Sequence, residues 1–145
     1  TGWFADEDIF QMDISDYSPH ATARRFDAGT PPVPNIYAGV AGLGLIEETG
    51  VPAIEAHVSG LNTRLISGLL DLGADVVTPV DPARRGPMVC ARSTDAPALV
   101  ASLAEEDFIC SLRDRNLRIA AHYYNTVDDI DALLDALARR RHLLG

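Results

Sequence analysis

The clearest pattern along the chain is the series Ile54, Val58, Leu61, Leu65, Leu69 and Leu72, apolar side chains spaced three and four apart. That period predicts a helix with one buried face, opened by Pro52 in its first turn and stopped by Gly73. Gly60 and Gly68 interrupt it at about 1 kcal/mol each relative to alanine. Close approach of another part of the chain and ordinary variation at exposed positions both account for them. Upstream, Asn35 is the expected cap of a shorter helix with the stripe Ile36, Val40, Leu43 and Ile46, ended by Gly50.

Downstream the period shortens. Asp75 to Val80 and Pro87 to Arg92 read as β-strands around the turn Asp81-Pro82-Ala83-Arg84-Arg85-Gly86. Asp95 caps a short helix that turns Leu99, Val100 and Leu103 inward. Phe108 to Leu112 and Asn116 to Tyr123 read as two more strands joined by Arg113-Asp114-Arg115. Thr126 and Asp129 are spaced as a capping box for a last helix, which buries Ile130, Leu133, Leu134 and Leu137. Arg139, Arg140 and Arg141 stand near its C-terminus, where the helix dipole favours cations. The order α-α-β-β-α-β-β-α predicts an α+β fold, a small antiparallel sheet covered by helices on one face, over residues 36–145. Residues 1–35 lack a sustained period and hold Thr30-Pro31-Pro32-Val33-Pro34, so they read as extended chain and turns. Their scattered apolar members, Trp3, Phe4, Ile9, Phe10, Met12 and Ile14, are expected to pack against something else.

Composition narrows the functions available. Of 145 residues, 21 are acidic and 12 basic, a net charge of −9 that opposes nucleic acid and anionic membrane surfaces. The longest apolar run, Ile36 to Ile46, falls short of the roughly 20 residues of a membrane span. No signal peptide is apparent, and Cys90 and Cys110 form neither a CxxC pair nor a disulfide framework, so the expected compartment is the cytoplasm. All the basic residues are arginines. With no lysine in the chain, chemistry that needs a lysine amine has to be completed elsewhere. A start at Thr1 rather than methionine suggests a fragment or a processed product.

Several candidate sites resolve into structural roles. Gly39, Gly42 and Gly44 follow the order GxxGxG inside a helical stretch, which fits helix packing and not a dinucleotide loop. His20, His57, His122 and His142 have no metal-ligand spacing, and no metal site is expected. Cys90 and Cys110 fall in apolar strand runs, where buried inert thiols are expected. Arg84-Arg85 reads as a solvated turn, with an acidic partner surface as the alternative. Arg118 is different. Alternation sends Leu117, Ile119 and Ala121 to one face of their strand and Arg118, Ala120 and His122 to the other. A guanidinium there offers a carboxylate two parallel hydrogen bonds, although an exposed structural arginine fits the same pattern.

Three stretches, taken in order, carry a family resemblance: Gly2-Trp3-Phe4, then Phe26-Asp27-Ala28-Gly29-Thr30-Pro31-Pro32, then Leu117-Arg118-Ile119-Ala120-Ala121-His122-Tyr123-Tyr124-Asn125-Thr126-Val127-Asp128-Asp129-Ile130. Together they resemble the C-terminal third of class V aminotransferase-family enzymes. These are pyridoxal-phosphate proteins of fold type I that include kynureninases, cysteine desulfurases and isopenicillin N epimerase-like enzymes. The resemblance implies an amino-acid substrate, a homodimer, and a small C-terminal domain closing over an active site whose cofactor lysine lies upstream in a large domain. The chain by itself would then be inactive. It implies that Arg118 binds the substrate α-carboxylate. It also implies that Thr30 and Trp3 reach the cofactor, the Gly29-Thr30 segment touching the phosphate across the dimer interface. Gly29 permits close backbone approach, and Thr30 offers a hydroxyl and an amide. A turn hydroxyl for Thr30 and a buried anchor for Trp3 are the structural alternatives. Asn125-Thr126 matches the family's YNT turn and reads as a helix cap. Desulfurases of this family carry a nucleophilic cysteine on a loop just before the arginine strand, in an RxGxxC arrangement. Here the link Leu112-Arg113-Asp114-Arg115-Asn116 is too short and has no cysteine, so the resemblance leans towards kynureninase-like and epimerase- or transaminase-like members. A free-standing, non-catalytic α+β interaction module is the competing reading.

Overall fold

Proline and glycine set the helix limits in the computed structural model, which describes residues 2–11 and 15–145. Helix α1 spans Val33–Thr49. It starts ahead of the expected Asn35 cap, because the Pro32 carbonyl already accepts from the Asn35 and Ile36 N–H groups at 2.9 and 3.1 Å, and Pro34 needs no N–H partner in a first turn. Helix α2 spans Val51–Asp71, with Gly50 at φ 83° before it and Pro52 in its first turn. Gly73, at φ 82°, takes the left-handed conformation that ends a helix.

Among the described residues the chain forms two compact units, Thr1–Glu48 and Thr49–Gly145. In the first, Trp3–Ala5 and Ala23–Phe26 are short 3-10 turns. Asp6 pairs with Pro19 in a single antiparallel bridge. Ala5 is buried, but Phe10 and Phe26 are about four-fifths exposed, and no residue of α1 is buried. The glycines Gly39, Gly42 and Gly44 do lie in a helix, yet a methyl on any of them would meet nothing within 4 Å. Packing against the described chain therefore does not explain them. Met12, Ile14 and the Trp3 side chain lie outside the described residues.

The second unit is the α+β layer. Strands β1 (Met88–Arg92), β2 (Ser111–Arg113) and β3 (Asn116–Ala120) form an antiparallel sheet in the order β1-β3-β2. Helices α2, α3 (Ala96–Ala104) and α4 (Val127–Arg139) supply the rest of the core. Leu65, Leu69, Leu99, Leu103 and Leu137 are fully buried with Val89, Ala91 and Leu117, each leucine contributing roughly 1.5–3 kcal/mol. Asp95 caps α3 by accepting from the Ala98 N–H at 3.1 Å. Thr126 and Asp129 form the expected capping box of α4.

Three expected strands are altered. Residues 75–80 run beside β1 without forming a strand: Val77 and Thr78 both donate to the Cys90 carbonyl, and Pro79 has no N–H. The Thr78 hydroxyl replaces the missing ladder bond by accepting from the Cys90 N–H at 2.8 Å. β2 begins at Ser111 rather than Phe108, because the Phe108 N–H closes the end of α3 on the Leu103 carbonyl at 3.1 Å. β3 stops at Ala120, because the His122 N–H turns to Asn125 Oδ1 at 2.8 Å.

The structure separates the two glycines of α2. A methyl at Gly68 would collide with the Leu134 side chain on α4, whereas one at Gly60 would enter open space. Gly60→Ala is expected to stabilise the chain by about 0.5–1 kcal/mol. Gly68→Ala should forfeit that gain to overpacking, which costs roughly 1–3 kcal/mol. Urea unfolding of the two variants checks the order.

Three carboxylates titrate below their ordinary values. Hydrogen bonds from Arg140 and Arg139 lower Glu106, those from the Thr126 backbone and Asn125 lower Asp129, and the Arg64 guanidinium lowers Asp131. On acidification the unfolded chain therefore takes up these protons first. Their stabilisation is complete above the unfolded values, 3.8 for Asp and 4.5 for Glu, and is lost as pH falls through the lower folded ones. Urea midpoints should drop between pH 5 and about 3, and the drop should be shallower in Glu106→Gln.

Candidate functional site

Burial of Leu117 and Ile119 in the core forces Arg118, between them, onto the opposite face of β3. β3 is the central strand, so Arg118 sits in the middle of the sheet, opposite Cys90 on β1 and Ser111 on β2. Val89 and Ala91 are buried towards the helices, while Met88, Cys90 and Arg118 are half-buried on the other face. The Arg118 Nε–H points at Met88 Sδ, 3.0 Å away, and thioether sulfur is a weak acceptor. The terminal nitrogens of Arg118 have no partner among the described residues. Arg64, Arg92, Arg139 and Arg140, by contrast, each pair with a carboxylate. The site thus holds a fixed cation whose planar fork is left for an external acceptor.

The expected companion on that face does not form. His122 lies beyond the end of β3, where its ring stacks on Tyr124 with centroids 4.7 Å apart. The expectation for Cys90 is corrected too. It faces out beside Arg118 and not into the core, a position that follows from strand register and not from its apolar neighbours in sequence. Cys110 does lie half-buried among apolar side chains, and burial pushes its thiol up from the ordinary range. The Asn125-Thr126 turn is the helix cap it was expected to be. It is also held from α2, where the exposed His57 donates from Nε2 to the Asn125 carbonyl at 2.8 Å.

Arg85 departs from a solvated turn. It is half-buried, and its two terminal nitrogens donate to the Val80 carbonyl at 2.7 Å and to Thr63 Oγ1 at 2.5 Å. That clamp ties the 82–87 loop to α2. Arg84 is exposed, as expected.

In the first unit, Gly2 lies so close to the Ala28 backbone that no Cβ would fit there. The Gly2-Trp3 and Ala28-Gly29-Thr30 segments are therefore neighbours, although 25 residues lie between Gly2 and Ala28 in sequence. Gly29 is half-buried, and a methyl on it would meet nothing within 4 Å. Thr30 is exposed, and its hydroxyl makes no hydrogen bond to the described residues, so it is not spent on its own turn. A hydroxyl and backbone amides offered to solvent suit an anionic oxygen.

Comparison with known proteins adds the family. YcbU, described as an uncharacterized aminotransferase of Bacillus subtilis, is 29% identical over 140 residues, which is 97% of this chain and 36% of that protein. Among solved structures, a cysteine desulfurase from Thermococcus onnurineus superposes with a TM-score of 0.80 at 21% identity, over 97% of this chain and 38% of its own. The cystine C-S lyase C-DES, solved with cysteine persulfide, superposes at 0.76 and 21% identity, over 95% of this chain and 37% of its own. The chain thus spans little more than a third of the length of these relatives. The family model described as aminotransferase class-V matches residues 5–133, and the chain belongs to that family.

Proposed function

We propose that this chain is the small C-terminal domain of a pyridoxal-phosphate enzyme acting on an amino acid, and that Arg118 is its receptor for the substrate α-carboxylate. The observation that carries this reading is the half-buried guanidinium at the centre of the sheet face opposite the helices, without a carboxylate of its own among the described residues. Pyridoxal phosphate supplies the electron sink that makes bonds at the substrate α-carbon labile. The residues of this chain bind and orient. Arg118, braced by its neighbours on two strands, would take both carboxylate oxygens and so fix the rotation of the α-carbon relative to the cofactor.

The Gly29-Thr30 segment fits the phosphate end of the cofactor. Its free hydroxyl and amides suit a phosphate oxygen, and we assign that contact to a neighbouring subunit of a homodimer. Trp3, next in sequence to Gly2, would then stand near the same group. The chain has no lysine, so the cofactor's amine partner belongs to the large domain and the chain by itself is inactive.

The reaction is better read as kynureninase-like, or as epimerase- or transaminase-like, than as desulfuration. The β2–β3 link is the two-residue turn Asp114-Arg115, with Asp114 at φ 55°, and it has no room for a cysteine-bearing loop. The raised thiol of Cys110 is a poor nucleophile at neutral pH.

In the intact enzyme, Arg118→Ala should raise KM for the amino acid about 100-fold, the loss of roughly 3 kcal/mol of charge-assisted hydrogen bonding. The cofactor's absorbance should be retained. Arg118→Lys should recover part of the loss. Steady-state kinetics beside absorption spectra check this, and an unchanged KM would remove the carboxylate role.

A further inference from the structure

Away from Arg118, the N-terminal half of α2 and the 82–87 loop enclose a cleft of about 370 Å³ walled by Val51, Ile54, Val58, Pro82 and Pro87. Four polar side chains also line it, Glu55, Ser59, Asn62 and Arg85, and the last two each have an orphaned atom. Asn62 is 1% exposed, and its Oδ1 accepts no hydrogen bond within the chain. Its place on α2, between Val58 and Leu65 on the buried face, is one that a leucine would ordinarily fill. Arg85 Nε is buried and donates to nothing within the chain, while its terminal nitrogens are held by Val80 and Thr63. The guanidinium therefore cannot turn away to satisfy its third nitrogen. Buried polar atoms of native proteins almost always have partners, and two exceptions lining one cleft point to a ligand.

We propose that this cleft binds a small molecule with a primary carboxamide head on an apolar body. One orphan is a donor and the other an acceptor. A carboxamide complements both: its carbonyl accepts from Arg85 Nε–H, and its N–H donates to Asn62 Oδ1. A carboxylate would set its charge against Asn62 Oδ1 and the Glu55 carboxylate, and an ammonium would set its charge against the Arg85 guanidinium. The apolar walls take a ring or branched alkyl group, and the volume falls in the range of small-molecule sites.

The test uses the 145-residue chain with benzamide and benzoate as probes, followed by ¹H–¹⁵N spectra of the Arg85 Nε–H and Asn62 amide signals and by thermal unfolding. Benzamide should saturate with millimolar affinity, as befits so small a ligand. It should shift both signals and raise Tm, with benzoate weaker. Asn62→Leu should weaken benzamide more than about tenfold while raising the Tm of the free protein, because an unpartnered amide is replaced by a core side chain. Should that variant fail to fold, Ile54→Trp blocks the cleft without touching the polar pair and should also abolish binding. Absence of saturation, which leaves a merely hydrated cleft, would overturn the proposal. So would tighter binding of benzoate, or benzamide binding that survives Ile54→Trp.

Discussion

A sheet with its core helices on one side imposes the constraint on which the second unit depends. Helices α2, α3 and α4 bury Val89 and Ala91 of β1 and Leu117 and Ile119 of β3, so the intervening residues of both strands are turned away from the core. A slip of one residue in β3 would bury Arg118 and expose Leu117 and Ile119. Hydrophobic burial therefore fixes the position of the one cation that the proposed chemistry needs. The neighbours of Arg118 follow from the same register: Cys90 and Ser111 flank it because Leu117 pairs with Ala91 and Leu112.

Polar contacts tighten this frame at the edges. Arg140 reaches from the end of α4 to Ser102 on α3, donating from Nε to its hydroxyl and from Nη2 to its carbonyl, both at 2.8 Å, and then to Glu106. With its side chain only 14% exposed, this cation is bonded far more fully than a surface pair, whose worth is about 0–1 kcal/mol. Arg64 with Asp131, about half exposed, is closer to that surface class. Arg85 and Arg140 are thus cross-ties between elements, whereas the side chain of Arg118 makes only the weak contact with Met88 Sδ among the described residues.

How much of this was legible in the sequence depends on the range of the interactions involved. The limits of α2, the Asp95 cap and the Thr126–Asp129 capping box are local, set by proline, glycine and side chains three residues away, and they stand as expected. The outward turn of Arg118 needed only the alternation of a strand. The failures are at longer range. Residues 75–80 have strand composition, but their ladder depends on how Pro79 and the Thr78 hydroxyl meet Cys90, 12 residues from Thr78. Whether Gly60 or Gly68 meets another element is decided by Leu134 on α4, and the Arg85 clamp by Thr63 on α2. The outward face of Cys90 follows from pairing with β3, which an apolar run does not encode.

Helices α1 and α2 follow one another and are both largely apolar, yet their fates differ. The apolar residues of α2 form a stripe, and Val58, Leu61, Leu65 and Leu69 are all buried. Those of α1 are distributed differently: Ile36, Val40 and Leu43 share one side, but Leu45 lies roughly opposite them at 100° per residue. Each of these four side chains is more than half exposed. A helix with apolar groups on several sides is ordinarily a core helix of a larger assembly, because no single neighbour can cover it. The chain spans little more than a third of the length of its relatives. The exposed apolar groups of α1 lie on the same side of the sequence as the Gly2 and Thr30 segments proposed to reach the cofactor. Burial within the chain fixes the position of Arg118, while the segment proposed to contact the phosphate belongs to a unit in which no residue of α1 is buried.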